Sequence, residues 1–268
     1  MCYKKNSLIF LFSMIFCGLS AQYQLSVQQN LGLLYSTSFS VADIDNEFIQ
    51  DGAVKNQPSF YASTELRFSI PLGKKKLFFY HIGGVYTQTS YHQTASVSRD
   101  HGFTWRSIDY DITRFFDYAG VSTGLTIVPF QNEKHRLHVD PTYSFSLVLG
   151  GHADVQRSLT DVFSNQTEES VIHSFSRKHI VKNTDSEFRN LHQFSLGAHY
   201  GYNLWRNLWV SAGLQYTYGW GGLFIDPDHW LTFILPPDDP LPFTDYVLPV
   251  KKLYFNAITI NFEINYTF

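Results

Sequence analysis

Residues 258–268 read ITINFEINYTF, and this stretch decides the fold. Apolar and polar side chains alternate along it without a break. A period of two residues is typical of a β-strand, because successive side chains point to opposite faces of a sheet. Eleven residues are also enough for a tilted strand to cross a bilayer. We therefore predict a transmembrane β-strand with one apolar face and one polar face.

Seven further segments show the same alternation, so the chain contains eight predicted strands. In each segment the apolar residues occupy one phase, and polar or small residues occupy the other. The fourth segment is the least regular. The predicted strands cover residues 25–35, 60–70, 78–87, 121–127, 137–149, 194–202, 208–220 and 258–268.

The connections between the predicted strands alternate between short and long. The short ones are residues 72–75, 130–136 and 204–207, and the long ones are residues 36–58, 88–110, 150–190 and 221–252. Short turns on one side and long loops on the other are typical of bacterial outer-membrane barrels, with the short turns in the periplasm. The predicted fold is all-β: an eight-stranded antiparallel up-and-down transmembrane β-barrel with extended extracellular hairpins and periplasmic termini.

Three of the long segments have sequence patterns that differ from those of plain loops. Residues 89–113 and 159–180 keep a strand-like pattern around central turns, so strands three to six are expected to continue above the membrane as extended hairpins. The last long segment instead carries six prolines between Pro227 and Pro249, which forbid a regular ladder. Pro141 interrupts the fifth strand, and we predict a bulge there.

The first 21 residues have the pattern of a secretory signal peptide. A short basic start is followed by a short apolar core and small residues, and cleavage after residue 20 or 21 fits this pattern. The predicted organisation is a signal peptide over residues 1–21 and one outer-membrane barrel domain over residues 22–268, with no second domain. Both cysteines, Cys2 and Cys17, lie in the signal peptide, so we expect no disulfide in the barrel.

The composition of the barrel domain fits a membrane protein and not a nucleic-acid-binding protein. Without the two lysines of the signal peptide, 18 of the 20 Lys and Arg residues remain against 23 Asp and Glu, a net charge of −5. Aromatic residues are 17% of the chain, and we predict two girdles at the membrane boundaries. The periplasmic girdle is Tyr202, Trp205, Trp209, Tyr266 and Phe268. The outer girdle is Tyr35, Tyr86, Tyr216, Tyr218 and Trp220.

Several charged and imidazole side chains fall in the inward phase of the predicted strands. They are Glu65, Arg67, His81, His138, Asp140, His199 and Glu263. The bore of an eight-stranded barrel is just wide enough to be filled by its own side chains. We therefore predict a structural polar plug in which Arg67 pairs with Glu263 or Asp140, since an unpaired buried charge is costly. The alternative interpretation is a proton or ion path.

Histidines and acidic residues elsewhere suggest chemistry only weakly. A Ser–His–acid set could be assembled near the third long loop; its candidates are His152, Asp154, Ser158, His173, Ser174, His179 and His192. His192 and Ser195, however, are three residues apart and face opposite sides of their strand. Residues 43–47 lack the glycine of a calcium loop, and Asp226, Asp228, Asp238 and Asp239 could bridge cations to lipopolysaccharide. We predict no catalytic residue, no cofactor and no metal site.

With these strands, loops and the terminal residues 264–268 (INYTF), the chain resembles small outer-membrane β-barrels of the OmpA/OmpX type. It is similar in particular to the outer membrane protein β-barrel domain, or porin-family, proteins of Bacteroidota. The resemblance covers about residues 22–268. It implies a bacterial outer-membrane location and an assembly signal at Tyr266 and Phe268 that the outer-membrane assembly machinery reads. No catalytic motif of that family matches, so it implies no activity.

These observations favour a non-enzymatic barrel with an envelope-structural or adhesin-like role carried by its long extracellular loops. The expected partners are outer-membrane lipid and lipopolysaccharide, the assembly machinery, and a protein of the envelope or the exterior; no nucleic acid is expected. Two alternatives stay open: an enzyme that modifies lipid A or phospholipid, and a subunit of an outer-membrane secretion or assembly complex.

Overall fold

The computed structural model describes most of the predicted barrel. The described residues are 23–41, 55–73, 76–100, 105–161, 165–167, 171–176, 190–221 and 250–268. The predicted signal peptide over residues 1–21 and the proline-rich residues 227–249 lie outside this part of the chain. No helix in the described residues is long and apolar enough to cross a membrane.

Strands account for almost all of the described residues. They are β1 (Gln24–Val41), β2 (Lys55–Gln57), β3 (Ser59–Leu72), β4 (Phe78–Asp100), β5 (Trp105–Gln131), β6 (His135–Asp161), β7 (Asn165–Thr167), β8 (Val171–Ser176), β9 (Asn190–Trp205), β10 (Leu208–Gly221) and β11 (Val250–Thr267).

Eight of these strands form one closed ring. The order is β4-β3-β1-β11-β10-β9-β6-β5, and β5 pairs with β4 to complete the circle. The pairing of the first and last strands is antiparallel and runs from Gln24 opposite Thr267 to Val41 opposite Val250. A closed barrel satisfies the backbone N–H and C=O groups of every strand inside the sheet, as a membrane interior requires. The predicted fold, an eight-stranded antiparallel barrel, is confirmed.

The ring is much taller on one side than on the other. Strands β4, β5 and β6 have 23, 27 and 27 residues, whereas β10 on the opposite wall has 14. The three short strands lengthen the tall side further, because β2 pairs with β4 while β7 and β8 pair with β6. The predicted extension is therefore present for strands three to five, which are β4, β5 and β6. The sixth predicted strand, β9, begins at Asn190, and the separate strand β8 pairs with β6 above it.

The two faces of the barrel wall differ as the alternation predicts. The outward side chains of β11 are 44–56% exposed, while the inward ones are at most 5% exposed. The outward set is Ile258, Ile260, Phe262, Ile264 and Tyr266, and the inward set is Thr259, Asn261, Glu263 and Asn265. A continuous exposed apolar surface is unfavourable in water and is the surface that lipid requires.

This apolar belt has the height of a bilayer interior. Residues 258–268 span ten steps, or about 33 Å along the strand and about 25 Å at a tilt of ~40°. Outward polar groups mark its upper edge. Asp117 accepts hydrogen bonds from Tyr86 Oη (2.8 Å) and Gln88 Nε2 (3.0 Å). Asn256 accepts one from Tyr216 Oη.

The predicted bulge at Pro141 is wrong. Pro141 lies opposite Leu196 of β9 in an unbroken register. On its other side the β5–β6 ladder skips Asp140 and Pro141 without a change of register, so the missing N–H of proline falls in that gap. The register shift of β5 and β6 lies nearer the turn, between Ile127 and Phe130.

Two leucines of similar exposure test the position of the belt. Leu214 lies at mid-depth opposite Ile260 and is 63% exposed, whereas Leu204 lies beside the β9–β10 turn and is 59% exposed. Leu214→Arg should lower the free energy of unfolding by about 2–4 kcal/mol, and Leu204→Arg by about 0–1 kcal/mol, because the cost of a cation falls towards the interface. Urea titrations in phospholipid vesicles measure both. Equal costs would contradict the belt.

Candidate functional site: the charged lumen

The lumen of the barrel collects the charged residues that the inward phase predicts. All seven, Glu65, Arg67, His81, His138, Asp140, His199 and Glu263, are at most 5% exposed. They come from β3, β4, β6, β9 and β11. The structure thus brings together residues that are as far as 198 positions apart, between Glu65 and Glu263.

Inward glycines make room for these large side chains. A Cβ atom at Gly197 would lie 2.3 Å from His199 Nε2, and one at Gly213 would lie 2.8 Å from His199 Nδ1. A Cβ atom at Gly124 would lie 2.7 Å from His81 Nε2. A bore of eight strands leaves little spare volume, so His81 and His199 each need a neighbouring position without a side chain.

Arg67 is the centre of one half of the cluster. Its Nη2 atom lies 2.8 Å from Glu65 Oε2, and Glu65 Oε1 accepts a hydrogen bond from Ser122 Oγ. Asp140 Oδ2 is 3.7 Å from Arg67 Nη1. The main partner of Arg67 is therefore Glu65, two residues away on the same face of β3, and not one of the two partners predicted across the barrel. Of those two, Asp140 makes the longer contact and Glu263 bonds elsewhere.

Histidines form the other half of the cluster. His138 Nε2 lies 3.0 Å from Glu263 Oε2 and 3.4 Å from Asp140 Oδ2. His199 Nε2 lies 3.3 Å from the same Asp140 oxygen. The two imidazole rings are stacked, with centroids 4.7 Å apart and planes within 11°.

His81 lies apart from the carboxylates. Its Nε2 atom is 3.1 Å from Thr142 Oγ1, and its Nδ1 atom is 3.4 Å from Thr126 Oγ1. Both partners are hydroxyl groups, which can donate or accept. His81 is therefore satisfied by neutral neighbours, although it shares the lumen with the charged groups.

The sequence reasoning missed Arg136 and misplaced Trp209. Arg136 is 2% exposed, and its guanidinium carbon lies 5.3 Å from the ring centroid of Trp209, a cation–π contact. Trp209 is 6% exposed and so faces the lumen, not the predicted lipid-facing girdle. Both residues follow the inward phase of their strands. The alternation thus indicates the orientation of both residues, although Arg136 falls in a predicted turn and Trp209 lies beside the aromatic residues of the predicted girdle.

The buried charges of the described residues do not balance. Three carboxylates, Glu65, Asp140 and Glu263, face two guanidinium groups, Arg67 and Arg136. With neutral imidazoles the lumen carries a net charge of −1. Because an uncompensated buried charge is strongly unfavourable, one more positive charge is needed, either a proton or a cation.

Above the charges, the lumen is closed by an amide layer and then an aromatic layer. Gln28 Nε2 donates to Gln215 Oε1 (2.9 Å), and Asn261 donates to Asn30. The aromatic layer consists of rings at most 2% exposed, with neighbouring centroids 5.6–6.4 Å apart. Its members are Tyr61, Tyr91, Phe116, Tyr118 and Phe255. The sequence predicted a polar lumen and not this layer.

The candidate hydrolase residues are not brought together where the structure describes them. His192 Nδ1 lies 2.7 Å from Tyr143 Oη, and the His192 ring stacks on Trp220. Ser195 Oγ is instead buried beside Thr217 Oγ1 at 2.8 Å. The side chains of His152, Ser158, His173 and Ser174 lie outside the described residues, as do His179, residues 43–47 and residues 226–239.

Comparison with known proteins adds little to this picture. No family model matches the chain, and no curated protein matches it by sequence. The solved structures with some similarity include Neisserial surface protein A, at 7% identity and a TM-score of 0.34, covering 92% of this chain and 97% of that one. Another is Ail, the attachment invasion locus protein of Yersinia pestis, at 10% identity and a TM-score of 0.30, covering 93% and 100%. TM-scores this low do not establish a shared fold, so the fold assignment depends on the strand register.

The Arg67–Glu65 pair gives a test of the charged cluster. Arg67→Met should lower the free energy of unfolding by about 3–5 kcal/mol, because it leaves buried carboxylates without their cation. In the double variant Glu65→Gln/Arg67→Met, which removes one of those carboxylates, part of this loss should be recovered. Urea unfolding of the single and double variants in vesicles measures the coupling. Additive losses would contradict the pairing.

The filled bore gives a second test, by electrical recording. The purified protein in a planar bilayer should show no stable porin-sized current, because side chains close the lumen at the charged, amide and aromatic levels. A porin recorded in the same chamber is the positive control. A steady large conductance from the wild-type protein would overturn the filled lumen.

Proposed function

We propose that this chain is a non-enzymatic integral outer-membrane barrel whose extended sheet binds a protein partner outside the membrane. The extended sheet, here called the ridge, is residues 89–100 of β4, 105–116 of β5 and 151–161 of β6, with the short strands β2, β7 and β8. One observation carries the proposal: this sheet continues well beyond the apolar belt.

The outer membrane is the location that the barrel surface supports. A closed antiparallel ring with an apolar outside and a polar inside is the form in which strands cross a bilayer. The short turns, and with them both ends of the barrel, would lie in the periplasm. The belt would contact lipid and lipopolysaccharide. Phe268 N donates to Tyr23 O (2.9 Å) beside that rim, where Tyr266 and Phe268 would serve as the assembly signal.

The lumen of the described barrel does not favour transport. Charged, amide and aromatic side chains fill it at successive levels. A barrel whose lumen is filled by side chains acts through its outer wall or through the segments that extend above the membrane. We favour the ridge, because its strands run about 40 Å beyond Gln88 at ~3.3 Å per residue.

The edge of the ridge on β4 suggests how a partner would bind. β4 pairs with β3 as far as Thr89 and with β2 as far as Thr94. From Ala95 to Asp100 its partner is β5 alone, as far as the described strands show. An edge of this kind offers unpaired N–H and C=O groups, and a partner's extended segment can add to it as a further strand.

Co-purification with a shortened ridge tests the proposal. In the variant, a two-residue Asn-Gly turn replaces residues 95–110 and joins Thr94 to Asp111, which already face each other. Wild-type protein, extracted in mild detergent after cross-linking on intact cells, should bring down a surface partner that the variant loses. Leu204→Ala, a change at the opposite rim, should keep the partner.

Two outcomes would contradict the proposal and favour a different function. A partner retained after the ridge is shortened must dock on the wall or the last loop, as a subunit of a larger complex would. An altered lipid A mass spectrum in a deletion strain would favour the enzyme. Heat-dependent gel mobility shows whether each variant still forms a closed barrel.

A further inference from the structure

The two imidazoles and the carboxylate of the lumen converge on one point. The Nε2 atoms of His138 and His199 and a carboxylate oxygen of Asp140 all lie within 4.8 Å of one another. Two of the three separations, both to Asp140 Oδ2, are 3.4 and 3.3 Å. Ligands of a tetrahedral zinc ion at 2.0–2.1 Å lie about 3.3–3.4 Å apart. These two separations match the spacing that one ion requires.

The Asp140 and His199 donor atoms lack hydrogen bonds although they are buried. Asp140 Oδ1 and Oδ2 and His199 Nε2 have no hydrogen-bond partner among the described residues, and both residues are at most 2% exposed. The contacts at 3.3–3.7 Å are close in distance only and do not have hydrogen-bond geometry. Unsatisfied buried polar atoms are rare and costly, and an ion between them is one explanation for their placement.

Both histidines can carry a proton on Nδ1 while Nε2 binds a metal. Neither His138 Nδ1 nor His199 Nδ1 has a hydrogen-bond partner in the described part of the chain. In neutral His199 the proton can reside on Nδ1, which leaves the Nε2 lone pair directed at Asp140. His138 Nε2 instead donates to Glu263 Oε2 at 3.0 Å, so metal binding moves that proton to Nδ1 or releases it.

The buried charge also favours a cation. Among the described residues the lumen carries three carboxylates and two guanidinium groups, and Arg136 is engaged with Trp209. A divalent ion held by neutral imidazoles would change the net charge from −1 to +1. A hydroxide bound to the ion would bring the net charge to zero.

We propose that the lumen contains a binding site for one divalent transition-metal ion of the zinc class. His138, His199 and Asp140 are its protein ligands, and a hydroxide or water completes the tetrahedron. Imidazole and carboxylate donors together suit Zn²⁺ and its neighbours better than Mg²⁺ or Ca²⁺. The sequence predicted no metal site, because the two histidines lie on different strands and only the pairing of His138 with His199 across β6 and β9 brings them together.

Burial determines how the ion would enter. The ligands lie in a lumen closed above by the amide and aromatic layers, so uptake accompanies folding. The probe should therefore be present while the barrel forms. In the experiment, the full-length protein is refolded into detergent in the presence of Zn²⁺ and is then desalted. The zinc that remains bound is measured by mass spectrometry.

A second buried histidine, His81, serves as the matched control for the ligand variants. Wild type and His81→Gln should each retain one zinc ion per chain. His81 is an equally buried lumen histidine, and the hydrogen bonds of its side chain among the described residues go to Thr142 and Thr126. Asp140→Asn and His199→Gln should weaken binding by about 10–100-fold or more, since even outer-shell changes have effects of that size. Zn²⁺ should raise the temperature at which wild type loses its folded gel mobility, and should not do so for Asp140→Asn.

Cobalt gives a readout that needs no variant. Co²⁺ refolded into wild type should show the intense visible absorption of a tetrahedral site. Three results would overturn the proposal: wild type without bound zinc, equal zinc in Asp140→Asn and wild type, or weak octahedral Co²⁺ absorption. If Asp140→Asn does not fold, the Co²⁺ spectrum of wild type decides.

Discussion

The pairing of β1 with β11 is the constraint on which the rest of the structure depends. It converts a strand meander into a ring, so that no strand of the barrel presents an open edge to lipid. Inside a bilayer an unpaired backbone group costs several kcal/mol, and only helices and closed barrels avoid that cost. Once the ring is closed, every strand must have one face for lipid and one for the lumen.

Closure at eight strands also fixes the character of the lumen. The bore is narrow, so inward side chains pack against one another and polar groups must find partners within the wall. Arg67 and Glu65 do so directly, and Gln28, Asn30, Gln215 and Asn261 do so through amide hydrogen bonds. The carboxylate oxygens of Asp140 have no hydrogen-bond partner among the described residues, and for this reason we infer a ligand in the lumen.

Period-two alternation predicted the wall well because it depends on local sequence alone. The outward and inward phases of β11 follow directly from ITINFEINYTF. What the alternation cannot give is which inward residues meet, since that depends on register and shear around the ring. The sequence therefore predicts partners for Arg67 across the bore, whereas the structure places Glu65 of the same strand nearest to it. For the same reason the convergence of His138, His199 and Asp140 required the structure.

The central claim is that the wall has one lipid face and one lumen face with a period of two residues. Single cysteines at successive positions 258–265, with Cys2 and Cys17 replaced by Ser, can carry a fluorophore in vesicles that contain lipid-attached quenchers. The structure predicts strong quenching at 258, 260, 262 and 264 and weak quenching at 259, 261, 263 and 265. Quenching that varies smoothly along the segment, without alternation, would contradict it.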